Sequence, residues 1–266
     1  MDKTIELVNA IKDIQAMPSV IVRTLNLMKK PTVSMKELGD IVVYDQSLTI
    51  KILALVNSAY YGFSQQISSI SIALSLLGMV KVKNIIVAVA MKPMMSNAGD
   101  KELWKHSIRV AAGCEYLANL TKVMDPDEAF ISGFIHDVGK IVLHTSDPKM
   151  YAKVFKAVNE QGTDILDAEK HYFDSDHVKT GSLLAKRWQL PILLANIISY
   201  HHNPSLSSIP VPCSLVCAVD SLMQDNFNPN KMDKDFLKTL GIDIEDLEEL
   251  RNVIWQKAEL LISELT

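Results

Sequence analysis

Five histidines and several acids recur in this chain at spacings that allow joint chemistry. His136 and Asp137 stand side by side at the end of the apolar run FISGFIHDVGKIV, residues 130–142. Burial strips water from imidazole and carboxylate alike, so such a doublet needs hydrogen bonds, an ion partner or a metal. Glu102 and His106 are four apart, which puts both on one helix face. His177 precedes Gly181 by four in the segment 176–188, His201 and His202 close a segment that begins near Pro191, and Asp220 ends the apolar run 214–219. A mixed imidazole and carboxylate set of this kind suits a divalent Fe, Mn or Zn ion.

Each residue also has an ordinary reading. His106 fits a half-buried core position, and Glu102 a first helical turn. Asp220 fits a cap, and the His201–His202 pair can bond the last carbonyls of its helix. His144 and His171 fit no pattern and read as structural or surface residues. The series is distinctive only as a whole, because five of the seven histidines fall into one order with two aspartates.

The rest of the chain must bring these groups together. It has 266 residues, 48% hydrophobic and 22% charged, enough for a buried core. A net charge of −4 provides no basic footprint for nucleic acid. Three cysteines (Cys114, Cys213, Cys217) make no paired framework, and Cys213–Cys217 is not a CxxC pair, which points to a reducing cytoplasm. The charged N-terminus is unlike a signal peptide, and the apolar stretch 85–91 is too short to span a bilayer, so no membrane partner is expected.

Helical signals dominate throughout. Asp125 as N-cap, Pro126 at the first position and Asp127 and Glu128 after it start the helix that leads to His136. Gly133 leaves room for a neighbouring helix, and Gly139 with Lys140 is expected to end or loosen the helix after the doublet. In the first half, Ile21, Leu25 and Met28 share a face until Pro31. Ser34, Glu37 and the Val33–Leu38 pair form a capping box with its staple, and Asp45 caps the next helix. Ser69 can cap a run ended by Gly78, and a further segment runs until Pro93. No alternating strand pattern of useful length occurs. Residues 46–59 could be taken for a DNA-recognition helix, but they offer only Lys51 and are otherwise mostly apolar. The aromatic cluster Tyr60, Tyr61 and Phe63 reads as core or a docking patch. A polar break at 96–100 separates the halves, and Ile244, Leu247, Leu250, Ile254, Ala258 and Leu261 trace a last helical stripe. The fold class is all-α, divided at 1–98, 99–226 and 227–266.

The order LWKHS, FIHDVGK, DHVKTG, SYHH and CAVD resembles the HD superfamily of helical metal-dependent phosphohydrolases. The resemblance implies metal ligands at His106, His136, Asp137 and Asp220. His177, His201 and His202 resemble the expanded set of the HD-GYP branch, which binds two or three metals and hydrolyses cyclic di-GMP. Glu102 matches the position that holds a third metal in some members, and Lys140 matches a lysine that contacts phosphate. Where a GYP loop should follow His202, the chain reads NPSLSSIPVP. The stretches MPSV at 17–20, SMKELGDIVVYDQSLTIKILALVNSAYYG at 34–62 and ISSISIALSLLG at 67–78 resemble the HDOD domain, an HD-related output domain of bacterial signalling proteins.

The resemblance therefore implies a two-lobed helical protein, an N-terminal bundle plus an HD-like half. It would be a stand-alone signalling module acting on a protein partner, with a retained mono- or dinuclear metal. The alternative it implies is a phosphohydrolase or phosphodiesterase acting on a nucleotide or phosphate ester, with Asp137 and Lys140 in catalytic roles.

Overall fold

The computed structural model describes residues 2–11, 19–28, 34–43, 45–58, 62–97 and 101–265. Among these there is no strand. Pro31, Val33, Tyr60, Tyr61, the start of MPSV and most of the polar break at 96–100 lie outside the described residues, as do the side chains of Leu25 and Met28.

Local signals set most helix starts. Helix α1 (Lys3–Ala10) begins where Asp2 accepts from the Thr4 N–H, and α2 is Ser19–Met28. Before α3 (Met35–Val43), Glu37 N–H donates to Ser34 Oγ at 3.2 Å while Ser34 N–H donates to Glu37 Oε2 at 3.0 Å, the reciprocal box expected there. Asp45 Oδ1 accepts from Leu48 N–H to open α4 (Gln46–Val56). Helix α5 (Ile70–Asn97) is broken at Gly78, where φ is 79° and ψ 155°. Its second arm runs past Pro93 instead of ending there. The proline ring is exposed, and the helix continues past it with one backbone bond fewer.

The second half is a succession of shorter helices: α6 (Lys101–Thr121), α7 (Pro126–Ile135), α8 (Val138–Ser146), α9 (Pro148–Gln161), α10 (Ile165–Phe173), α11 (His177–Arg187), α12 (Ile192–Tyr200), α13 (Pro210–Leu222), α14 (Lys234–Leu240) and α15 (Leu247–Leu265). Asp125 accepts from Asp127 and Glu128 N–H to start α7, as its sequence requires.

The largest core joins both halves. It includes Leu38, Ile52, Leu55 and Ile86 from the first, Phe134, Ile141, Leu184 and Ile198 from the second, and Leu261 and Leu265 from α15. Trp104 Nε1–H donates to Ala88 O at 3.1 Å, tying α6 to α5. The α15 stripe faces inward, with Leu247, Ile254, Ala258 and Leu261 buried. At its end, Lys51 and Lys92 each place Nζ 2.9 Å from the Leu265 carbonyl, where the helix dipole favours cations. A second core gathers Val110, Cys114, Val216, Val219 and Ile254, and a third gathers Leu143, Tyr151, Val154 and Phe173. No single helix among the described residues is long and apolar enough to cross a membrane.

Two glycines set the close contacts near the doublet. At Gly133 an added Cβ would come within 2.8 Å of Val110 O, so α7 lies hard against α6 as expected. Gly139 corrects the sequence reading. It neither ends nor loosens a helix, because α8 starts at Val138 and Gly139 lies in its first turn. A Cβ there would sit 1.9 Å from His177 O and 2.6 Å from Gly181 N. Only glycine lets α8 meet the first turn of α11.

Gly139→Ala is therefore expected to cost about 3 kcal/mol through overpacking against backbone. Gly162→Ala should cost about 1 kcal/mol, because its φ of 67° is strained but an added Cβ meets nothing. Urea denaturation of the metal-free proteins measures both. Equal losses would remove the α8–α11 contact as a constraint.

Candidate metal centre

The predicted ligands come from five places in the fold, mostly helix ends. His106 lies in the second turn of α6. His136 and Asp137 form the two-residue joint between α7 and α8. His177 is the first residue of α11, whose N-cap Asp176 accepts from Lys179 N–H at 2.8 Å. His201 and His202 follow the last turn of α12, and Asp220 lies near the end of α13.

These seven residues converge. His106 Nε2 is 3.0 Å from Asp220 Oδ1 and 3.7 Å from Asp137 Oδ2. His136 Nε2 is 3.2 Å from Asp137 Oδ2 and 3.7 Å from Asp220 Oδ1. On the other side, His177 and His201 place Nε2 at 3.4 and 3.7 Å from Asp137 Oδ1. His177 Nε2 is also 3.3 Å from His201 Nε2 and 3.0 Å from His202 Nε2. One oxygen of Asp137 thus faces His106 and His136, the other His177 and His201. Two groups able to hold an ion share this geometry: His106, His136, Asp137 and Asp220, and His177, His201 and His202.

The outer hydrogen bonds orient the rings. His136 Nδ1–H donates to Gly133 O at 2.7 Å, His201 Nδ1–H to Ile197 O at 3.1 Å, and His177 Nδ1–H to Glu169 Oε2 at 2.7 Å. With Nδ1 committed outward, Nε2 is the ring atom each of them turns toward the centre. The Nε2 atoms of His177 and His201 then face each other as acceptors, which is unfavourable without a cation. His136 Nε2 and Asp137 Oδ1 are buried without a hydrogen-bond partner. Bonds of about 2.1 Å to a common ion place neighbouring donor atoms roughly 3.0–3.4 Å apart. The donor types, the spacing and the two orphaned atoms all fit a divalent metal.

Without metal, the charges are shared among few groups. Burial pushes His136 down, but Asp137 and Asp220 outweigh it and raise its pKa to about 10. Burial opposes ionisation of Asp137 and Asp220 too, yet the imidazoles, with Lys140 beside Asp137, hold both well below the usual carboxylate range. Burial lowers His201, and burial with the neighbouring His201 and His177 lowers His202 to about 2. The pair that ends α12 is therefore neutral and ready to ligate. Burial likewise opposes the Lys140 charge, and Asp137, Asp220 and Glu169 together reverse this and raise its pKa. Lys140 Nζ lies 2.5 Å from Asp137 Oδ2.

Glu102 is not brought into the cluster. It is exposed, and its Oε1 accepts from Lys105 at 2.8 Å, so the one-turn spacing from His106 does not translate into a shared site. His201 fulfils both readings at once, since its Nδ1 closes α12 while its Nε2 faces the centre. His144 packs its ring 4.9 Å from Tyr151, and His171 lies edge-on to Tyr172. Sequence reasoning missed Glu169, which is fully buried and bonds both the ring and the backbone N–H of His177. Its one signal was an acid eight residues before a histidine, on a short helix with no other reason to bury it.

A Treponema pallidum protein is 27% identical over 197 residues, which cover 73% of this chain. The chain spans only 38% of that relative's length. Among solved structures, an HDOD domain protein of unknown function from Geobacter sulfurreducens is similar at a TM-score of 0.75 and 22% identity, over 96% of this chain and 97% of the other. A candidate signal transduction protein from Marinobacter aquaeolei VT8 is similar at a TM-score of 0.80 and 19% identity, over 94% of this chain and 58% of the other. These likenesses are of fold. The family model of the HDOD domain matches residues 14–204, from before α2 to the turn that follows His202. That match takes in most of the chain, and the chain belongs to the HDOD domain family.

Proposed function

We propose that this protein is a signalling module of the HDOD family that carries a dinuclear divalent metal centre and acts through a protein partner. His106, His136, Asp220 and one oxygen of Asp137 would hold one ion, and His177, His201, His202 and the other oxygen the second. The supporting observation is the placement of Asp137, a buried carboxylate whose two oxygens face two separate histidine groups. The segment after His202 favours regulation over cyclic dinucleotide turnover. It folds back on itself as a short turn at Pro204–Leu206, and Ser207 and Ser208 both donate to Asn196 Oδ1 at 3.2 Å. Those hydroxyl donors are used inside the protein.

A second reading, hydrolysis of a phosphate ester, is favoured by Lys140. Divalent ions bound here supply Lewis acidity toward a phosphoryl oxygen and make a nearby water more acidic. The chain's own residues contribute binding and orientation. The Lys140 ammonium would hold phosphate charge beside Asp137, and the side chains of His106 and Lys140 are each 17% exposed, which leaves an approach for a small anion. Two divalent ions with Lys140 exceed the charge of Asp137, Asp220 and Glu169, so the loaded centre attracts anions.

Protein purified without affinity nickel should hold about two equivalents of Fe, Mn or Zn by elemental analysis. His136→Ala/Asp137→Ala should hold none. A metal-free wild type, prepared both in air and anaerobically, would sink the reading.

Binding should release a proton from His136, which is charged below a pKa of about 10 and must give up its Nε2 proton to ligate. Affinity should rise about tenfold per pH unit between roughly pH 7 and 9. Calorimetry in buffers of different ionisation enthalpy reads the proton directly, and a pH-independent affinity would contradict it. The same charge stabilises the metal-free fold. Its contribution is fully present below 6.5 and is lost as pH rises through about 10.

If the centre hydrolyses a phosphodiester such as bis-p-nitrophenyl phosphate, Lys140→Met should lower kcat by about 100-fold at unchanged metal content. No turnover by the metal-loaded wild type would leave the regulatory reading alone.

A further inference from the structure

The Glu169 carboxylate is engaged at both oxygens, by a backbone N–H, an imidazole N–H and a phenol hydroxyl. Oε2 accepts from the His177 backbone N–H at 2.8 Å and from His177 Nδ1–H at 2.7 Å. Oε1 accepts from the Tyr151 hydroxyl at 3.1 Å. Glu169 is 0% exposed and Tyr151 1%, and the tyrosine ring is packed by His144, Phe155 and Phe173. The carboxylate therefore has one available orientation, fixed by α9 from one side and by the start of α11 from the other.

We propose that Glu169, held by Tyr151, is a positioning residue that makes the His177, His201 and His202 group a metal subsite distinct from its neighbour. This rests on the metal centre proposed above. His177 is presented differently from the other inward rings. His136 and His201 donate Nδ1–H to neutral backbone carbonyls, whereas His177 donates to a carboxylate. A carboxylate behind the ring fixes the Nδ1–H tautomer and raises electron density at Nε2, which strengthens that nitrogen as a ligand. Glu169 touches no ligand of the other group. Its hydrogen bonds therefore act on the Oδ1 side of Asp137, and on the Oδ2 side it acts only through its charge on Lys140.

The test compares wild type with Glu169→Gln and Tyr151→Phe. Gln keeps the shape and can still accept from His177, but it removes the charge. Chelator competition with Zn²⁺ or Mn²⁺ alone measures the affinities, Co²⁺ absorption counts the occupied subsites, and long-range ¹H–¹⁵N spectra of the metal-free protein read the His177 tautomer. Glu169→Gln is expected to weaken one of the two ions by about 10–100-fold and leave the other unchanged. Tyr151→Phe should weaken the same ion by less, and the wild-type spectrum should show His177 protonated at Nδ1 alone. If the wild type takes up a single ion, that ion should show the same 10–100-fold loss. The proposal is overturned if Glu169→Gln keeps wild-type affinities throughout, or if both ions weaken together with the thermal stability of the metal-free protein. Failure of the wild type itself to bind metal would overturn the metal centre and this proposal with it. Retained metal with no effect at Glu169 would overturn this proposal alone.

Discussion

A fully buried carboxylate at the joint of two helices is the constraint on which this structure turns. Asp137 has no bulk water to stabilise it, so its charge must be met by groups that the fold brings to it. The helices of the second half do so with their ends. A side chain in the middle of a helix is constrained by neighbours one turn away, whereas a residue at a helix end projects along the axis into the space where ends meet. His136, His177, His201 and His202 all take such positions around Asp137. The contact between Gly139 and Gly181 follows from the same need, because α11 must come against the backbone of α8 for His177 to reach Asp137.

The first half and α15 both bear on α6, the helix that carries His106. Trp104, two residues before His106, bonds the carbonyl of Ala88 in α5, and Lys92 stacks on its ring at 4.6 Å. Lys92 also reaches the Leu265 carbonyl at the end of α15. Gly113 on α6 receives Val219 from α13 and Ile254 from α15. The helix that carries His106 is thus gripped by α5 near one end and by α13 and α15 further on. A shift of α5 relative to α13 would change the distance from His106 to Asp220, now 3.0 Å. These contacts join the N-terminal half to the helix that carries His106.

Much of this was legible in the sequence because its signals were local. The caps at Ser34, Asp45 and Asp125 and the α15 stripe depend on neighbours within a turn or two, and the structure has them where the residues indicate. The ordered histidines and aspartates carried the centre as a set, although each alone had an ordinary explanation. What sequence could not supply was distance through space. Glu102 has the spacing to share a face with His106, yet it is exposed and pairs with Lys105 three residues away. Pro93 has the character of a helix end, but its missing N–H costs little where the helix is open to solvent. Glu169 was overlooked because its partner lies across a turn between two helices, a relation with no fixed period.

The centre's internal electrostatics explain why its ligands belong together. In the metal-free protein the inward charges are balanced by a protonated His136 and by Lys140, both drawn to Asp137. That balance satisfies the carboxylates but not the histidines beyond them. Burial and neighbouring histidines lower both His201 and His202, and their Nε2 atoms lie 3.3 and 3.0 Å from that of His177. A purely structural hydrogen-bond network would place a donor at the His177–His201 contact, since the alternative is mutual repulsion in a medium of low dielectric constant. Instead the outer bonds of His177 and His201 direct their protons away from the centre. A positive ion would satisfy that pair better than a proton, which supports the proposal that these seven residues form a ligand set rather than a packed core.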